Sequence, residues 1–334
     1  ELPAFYRDFE AETRGKAEFR STTRDVRRLV TELVVQGVDG IVIDLRGNGG
    51  GSLAEATALT GLFIDTGPVV QVKDAFGKVD VERDPEPGVA YSGPLAVLVD
   101  RDSASASEIF AGAIQDYGRG LVIGEPTFGK GTVQTLVDLN RYVPGDSNDL
   151  GRLRLTMAEF FRISGGSTQL KGVEPDIRFP SGDDIGDYGE RSLTNPLPWA
   201  RIDAANYRRF GSTDAGWLSR QSAARVSQDP GFKMLEQRSK AMKEVQDQTR
   251  VSLREADRRA ESKHRERLVK DEQDRFLRAR GITPVDEEAD QVDEEALDAQ
   301  RDAIARIQVE EAARILADSI LAESVDRPRA AMRN

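Results

Sequence analysis

The sequence predicts an α/β layered domain followed by a separate, acidic helical one. Three observations carry this. Over residues 1–181, short apolar runs alternate with segments of helical periodicity, the pattern of strands and helices stacked in layers. Charge density changes after Ser181: 47 of the first 181 residues are Asp, Glu, Lys or Arg, against 58 of the last 153. From Asp229 to Arg280 the pattern is helical and heavily charged, that of a solvated helical region.

The elements follow in order. Glu1 to Phe5 looks like the tail of a strand whose beginning is missing, which suggests a processed or truncated product. Val26, Leu29, Val30, Leu33 and Val34 fall at helical spacing over residues 21–37, stopped by Gly37. The continuous apolar run Gly40 to Leu45 reads as a strand buried on both faces, leading into Arg46-Gly47-Asn48-Gly49-Gly50-Gly51. A helix is expected over 53–63, strands over 69–72 and 95–99, a helix over 105–117, and strands over 121–123 and 132–139. Residues 140–152 form a polar turn-rich loop, and strand-like alternation resumes over 153–163. Residues 182–197 read as a linker between a domain at 1–181 and a helical domain at 198–334. Within the latter, 284–295 is an acidic loop before an amphipathic helix over 296–321.

Composition excludes several chemistries. A net charge of −11 disfavours nucleic-acid binding, which needs surplus cations. With no Cys there is no disulfide, thiolate zinc site or cysteine nucleophile. No apolar run approaches a transmembrane span of roughly 20 residues. The single histidine, His264, sits in a charged helical stretch, so a serine hydrolase here needs another base, and lysine is the known substitute.

Ser105 opens a helical pattern, where unpaired N–H groups favour an alkoxide-like nucleophile. Ser105-x-x-Glu108 is equally a capping box, and on that spacing alone the cap is the better reading. Gly124 to Thr132 nearly matches a phosphate-binding loop. However, position 131 is Gly where a magnesium-holding hydroxyl is needed, and the following residues alternate as a strand. On a strand, Lys130, Thr132 and Gln134 share a face, so Gln134 could orient a lysine amine in a pocket. An exposed turn lysine and a half-exposed strand glutamine are the bland alternatives. The glycines at 49–51 could offer backbone donors to an oxyanion or simply turn the chain.

Together, Asp44-Leu45-Arg46-Gly47-Asn48-Gly49-Gly50-Gly51, Ser103-Ala104-Ser105-Ala106-Ser107-Glu108, Gly129-Lys130-Gly131-Thr132-Val133-Gln134 and Lys171-Gly172-Val173-Glu174-Pro175-Asp176 resemble the C-terminal processing peptidases, or tail-specific proteases. The resemblance covers about residues 1–180 and implies a crotonase/ClpP-like layered β-β-α protease core. It implies Ser105 as nucleophile and Lys130, 25 residues on, as general base, with Gln134 in support. It further implies oxyanion donors at the N–H groups of Gly51 and Ala106, and a supporting role for Asp116. No metal or nucleotide cofactor is implied. The region 182–334 resembles the C-terminal extension of the larger periplasmic members. This implies a Gram-negative periplasmic location, protein substrates with accessible apolar C-termini, and a tetratricopeptide-repeat lipoprotein as adaptor. The family's PDZ and N-terminal helical domains have no counterpart in this sequence. A competing reading is a helical scaffold fragment that docks the adaptor without activity.

Overall fold

The computed structural model describes residues 1–16, 18–84, 86–142, 149–180, 188–211, 213–285 and 293–331. They form two compact units: Glu1–Val122, Pro126–Glu174 and Gly189–Ser212 in the first, and Ile123–Glu125, Pro175–Tyr188 and Thr213–Asn334 in the second.

The first unit is a layered α/β domain. Strands β1 (Ile41–Asp44) and β4 (Leu95–Val99) lie side by side and parallel, with Ile41 opposite Leu95, and β5 (Leu121–Gly124) begins in this unit with Leu121 and Val122. All of β4 and β5 is buried, which is why they read as unbroken apolar runs. A second sheet is antiparallel, in the order β3 (Val79–Asp84), β2 (Gly67–Asp74), β7 (Arg152–Phe161), β6 (Thr132–Asp138). Helices α2 (Thr22–Val35), α3 (Leu53–Gly61) and α4 (Ala106–Tyr117) complete the layers, and α4 packs against α3 and β2. Helix α4 is buried all round apart from Gln115, and Phe110 at its centre meets the rings of Phe5 and Phe63.

The extended start of the chain forms an isolated parallel bridge from Phe5 to Gly51, beside the glycine turn, and Leu2 N–H donates to the Asp44 carbonyl at the end of β1. Two elements of this unit have no periodic sequence signal. The short helix α1 (Phe9–Thr13) is held by its Asp8 cap and by the Arg7–Glu12 ion pair. Strand β3, Val-Asp-Val-Glu-Arg-Asp, is an exposed edge whose charges mask alternation. Gly189–Ser212 belongs to this unit, although the sequence suggested a linker and the start of the helical domain there. Trp199 Nε1 donates to the Ser167 carbonyl, and Gln169 Nε2 donates to Glu190 and the Leu197 carbonyl.

The second unit holds α5 (Ala215–Val226), α6 (Pro230–Gln246), α7 (Glu255–Ala279) and α8 (Glu294–Ala331), with β8 (Ile177–Arg178) paired to Ile123 and Gly124. Asp214 and Asp229 cap α5 and α6. Its small core includes Phe179 edge-on to Phe232, with Leu218, Phe276 and Ile315. Arg225 joins α5 to α8 through Glu311 and Asp318. Most of the acidic stretch at 284–295 lies outside the described residues. Among the described residues, no helix is long and apolar enough to cross a membrane.

Candidate active site

The turn after β1 is organised by Asn48, which is fully buried. Its Nδ2 donates to the Leu2 carbonyl, and its Oδ1 accepts from Gly50 N–H. Its own carbonyl accepts from Ala104 N–H at 3.0 Å and from Ser107 Oγ at 2.8 Å. One side chain and its backbone thus clamp the glycine turn to the segment entering α4.

At that entry Ser105 has φ 58° and ψ −110°, a strained conformation for a residue with a Cβ. A Cβ at Gly50 would lie 2.9 Å from Ser105 Cβ and 2.7 Å from the Ala104 carbonyl oxygen, so only glycine permits this approach. The expected helix therefore starts one residue later, with Ser105 projecting from a sharp turn as its N-cap.

Glu108 is the residue whose part the sequence did not reveal beyond the capping spacing. It is completely buried and accepts from Ser105 N–H (2.7 Å), Gly129 N–H (2.7 Å), Lys130 N–H (3.0 Å) and Thr127 Oγ1 (2.7 Å). Burial pushes its pKa up to about 7, while these four donors pull the other way. The Gly129 and Lys130 amides of the glycine-rich 124–132 segment are thus turned onto a carboxylate, and the Gly131 amide onto Gln169 Oε1. The segment also leads into strand β6 rather than a helix.

Ser105, Lys130 and Gln134 line one cavity of about 510 Å³, together with Gly51, Ala106, Leu53, Ile109, Leu136, Arg154 and Phe160. Lys130 Nζ donates to Gln134 Oε1 at 3.5 Å, and no hydrogen bond joins it to Ser105 Oγ among the described residues. Strand alternation is not what brings Lys130 to Gln134. Lys130 precedes β6, and a bulge separates Val133 from Gln134. The N–H groups of Gly51 and Ala106 have no acceptor among the described residues. Asp116, at the far end of α4, is held outside this cavity by the Arg162 guanidinium (2.6 Å) and by Ser164. His264 lies on the charged helix α7 of the second unit.

Comparison with known proteins gives the class, a peptidase, and the family. The model of peptidase family S41 matches residues 6–179, and that of the C-terminal domain of tail specific protease matches residues 184–321. The chain belongs to peptidase family S41. It is 45% identical over 262 residues to the tail-specific protease of Haemophilus influenzae, an alignment covering 77% of this chain and 38% of that protein. It is 39% identical over 163 residues to the chloroplastic C-terminal processing peptidase of Tetradesmus obliquus, covering 48% and 33%. Among solved structures it resembles the photosystem II D1 C-terminal processing protease, with TM-score 0.44 and 33% identity over 55% of this chain and 42% of that one. The chain spans well under half the length of these relatives.

Proposed function

We propose that this chain is a serine endopeptidase in which Ser105 attacks the scissile carbonyl and Lys130 acts as general base. The observation that carries the reading is the convergence of Ser105, Lys130 and two N–H groups without acceptors, Gly51 and Ala106, on one cavity. Lys130 Nζ takes the Ser105 proton as Oγ bonds to the carbonyl carbon. The Gly51 and Ala106 N–H groups stabilise the oxyanion, each such donor being worth about 10²–10³ in kcat. Lys130 then protonates the leaving amine, and water hydrolyses the acyl-enzyme. Gln134 holds the lysine between turnovers, and proton transfer requires Nζ to rotate from Oε1 towards Oγ. Asp116 acts from a distance, by fixing Arg162 against α4.

Substrate enters as an extended segment beside β6, an edge strand with an open side next to Lys130. The substrates are periplasmic proteins cut at or near accessible apolar C-termini, and the helical second unit docks a tetratricopeptide-repeat lipoprotein adaptor. Relatedness to a tail-specific protease across both matched regions supports cleavage at or near C-termini.

The test is cleavage of a disordered protein by the full chain, with Ser105→Ala and Lys130→Ala as controls. Both variants lose at least about 10³-fold in kcat, and a serine-directed acylating reagent adds its mass to Ser105. A Lys130→Ala protein that still cleaves at the original rate overturns the assignment.

A further inference from the structure

The cavity around Ser105 is lined by basic and not by acidic side chains, in an acidic protein. Its lining includes Lys130 and Arg154 and no Asp or Glu, in a chain with 58 acidic and 47 basic residues. Arg154 lies exposed on β7, unlike the half-buried arginines of this unit, whose partners fix them. Arg7, Arg46 and Arg162 sit in ion pairs and Arg119 is held by three carbonyls, whereas Arg154 has no hydrogen bond or ion pair among the described residues.

Its position follows from the sheet register. Arg154 lies opposite Leu136, and Thr156 lies opposite Gln134, so these four side chains share the face from which Gln134 reaches Lys130. Leu136 is two residues beyond Gln134 along β6, or about 7 Å. A guanidinium of about that reach, rooted on the neighbouring strand, therefore meets an extended peptide a few residues away from the bond at Ser105. The surrounding Leu53, Ile109, Leu136 and Phe160 supply apolar contact without competing charge.

We propose that Arg154 is a specificity-determining residue that binds a carboxylate of the substrate roughly two to four residues from the scissile bond. The carboxylate comes from the free C-terminus or from an Asp or Glu side chain. The proposal rests on the Ser105–Lys130 reading for the location of the scissile bond. The chemistry at Ser105 is unchanged, and the arginine acts through ground- and transition-state binding alike.

The experiment uses the full chain and one apolar peptide sequence in four forms. One is neutral and C-terminally amidated. A second has a free C-terminus three residues past the cleavage site, and the third and fourth are amidated with Glu or Lys at that position. The wild type favours the carboxylate peptides over the neutral one by about three- to tenfold in kcat/KM, as suits a solvent-accessible charge pair. A preference for the free C-terminus alone identifies that source, and a preference for Glu identifies the side chain. Arg154→Gln brings the ratio to about one, and Arg154→Glu reverses it in favour of the Lys peptide. The same four peptides are titrated against Ser105→Ala protein by fluorescence anisotropy, which reads the preference without turnover. Equal affinities there, or a ratio preserved in Arg154→Gln, overturn the role of Arg154. Preferential binding without wild-type cleavage supports Arg154 and counts against the dyad alone.

Discussion

The Glu108 carboxylate accepts the backbone N–H of Ser105 at 2.7 Å and that of Lys130 at 3.0 Å, through the same oxygen. One buried atom therefore sets the distance between the two segments that carry the proposed nucleophile and base. In Glu108→Gln the amide nitrogen, in either orientation, faces at least one backbone N–H that can only donate. The variant loses about 1–3 kcal/mol of stability and about 10–100-fold in kcat from misplacement. Parallel denaturant titration and steady-state kinetics check both effects.

Burial raises the Glu108 pKa to about 7, well above its unfolded value, so the folded state binds the extra proton between those two values. The protonated form's contribution to stability is fully present below the unfolded pKa and is lost as pH rises to about 7. Unfolding free energy of the wild type relative to Glu108→Gln should fall across that window and level off above it. A difference that rises with pH instead would mean the four donors outweigh burial.

Strain at Ser105 gives a second handle. Ser105→Ala and Ser105→Gly both lack the hydroxyl, but only glycine adopts φ 58° at ease. The Gly variant should exceed the Ala variant in stability by about 1 kcal/mol, read from urea midpoints.

Gly50→Ala should be among the most damaging single-methyl changes. Its φ of 101° disfavours any side chain, and the new Cβ meets the backbone on both sides of Ser105. A loss of at least about 2 kcal/mol is expected, together with loss of cleavage in the fraction that remains folded.

Asp116 is only 8% exposed at its side chain and pairs with Arg162, so Asp116→Asn leaves a guanidinium short of its counter-charge. Thermal melts should show a loss of about 3–5 kcal/mol, with Arg162→Met milder than Asp116→Asn because it removes the stranded cation.

Much of the fold was legible in the residues. Leu95–Val99 and Leu121–Gly124 carry no polar side chain because both faces are covered, and that burial writes itself into consecutive positions. Strand β3 and helix α1 were not legible, since an exposed charged edge and a one-turn helix bury too little to impose a period. The place of Gly189–Ser212 in the first unit was not legible either. What ties Gly189–Ser212 to the first unit is irregular backbone bonds, such as Ile202 N–H to the Gly165 carbonyl, and the rings of Tyr207 and Phe210 against Tyr117, none of which repeats with a helix or strand period.

The sequence alone determined which chemistry was open: no cysteine, one histidine in a charged helix, and serine and lysine segments with glycine neighbours. It left Ser105-x-x-Glu108 as a plain cap. Only the tertiary structure decided that Glu108 is buried among four donors, that Ser105 stands at positive φ, and that Lys130 meets Gln134 across a bulge. Periodicity reports which faces are covered. It carries no information on contacts such as Asn48 with Ser107 or Glu108 with Gly129, which join distant segments and exist only once the layers have packed.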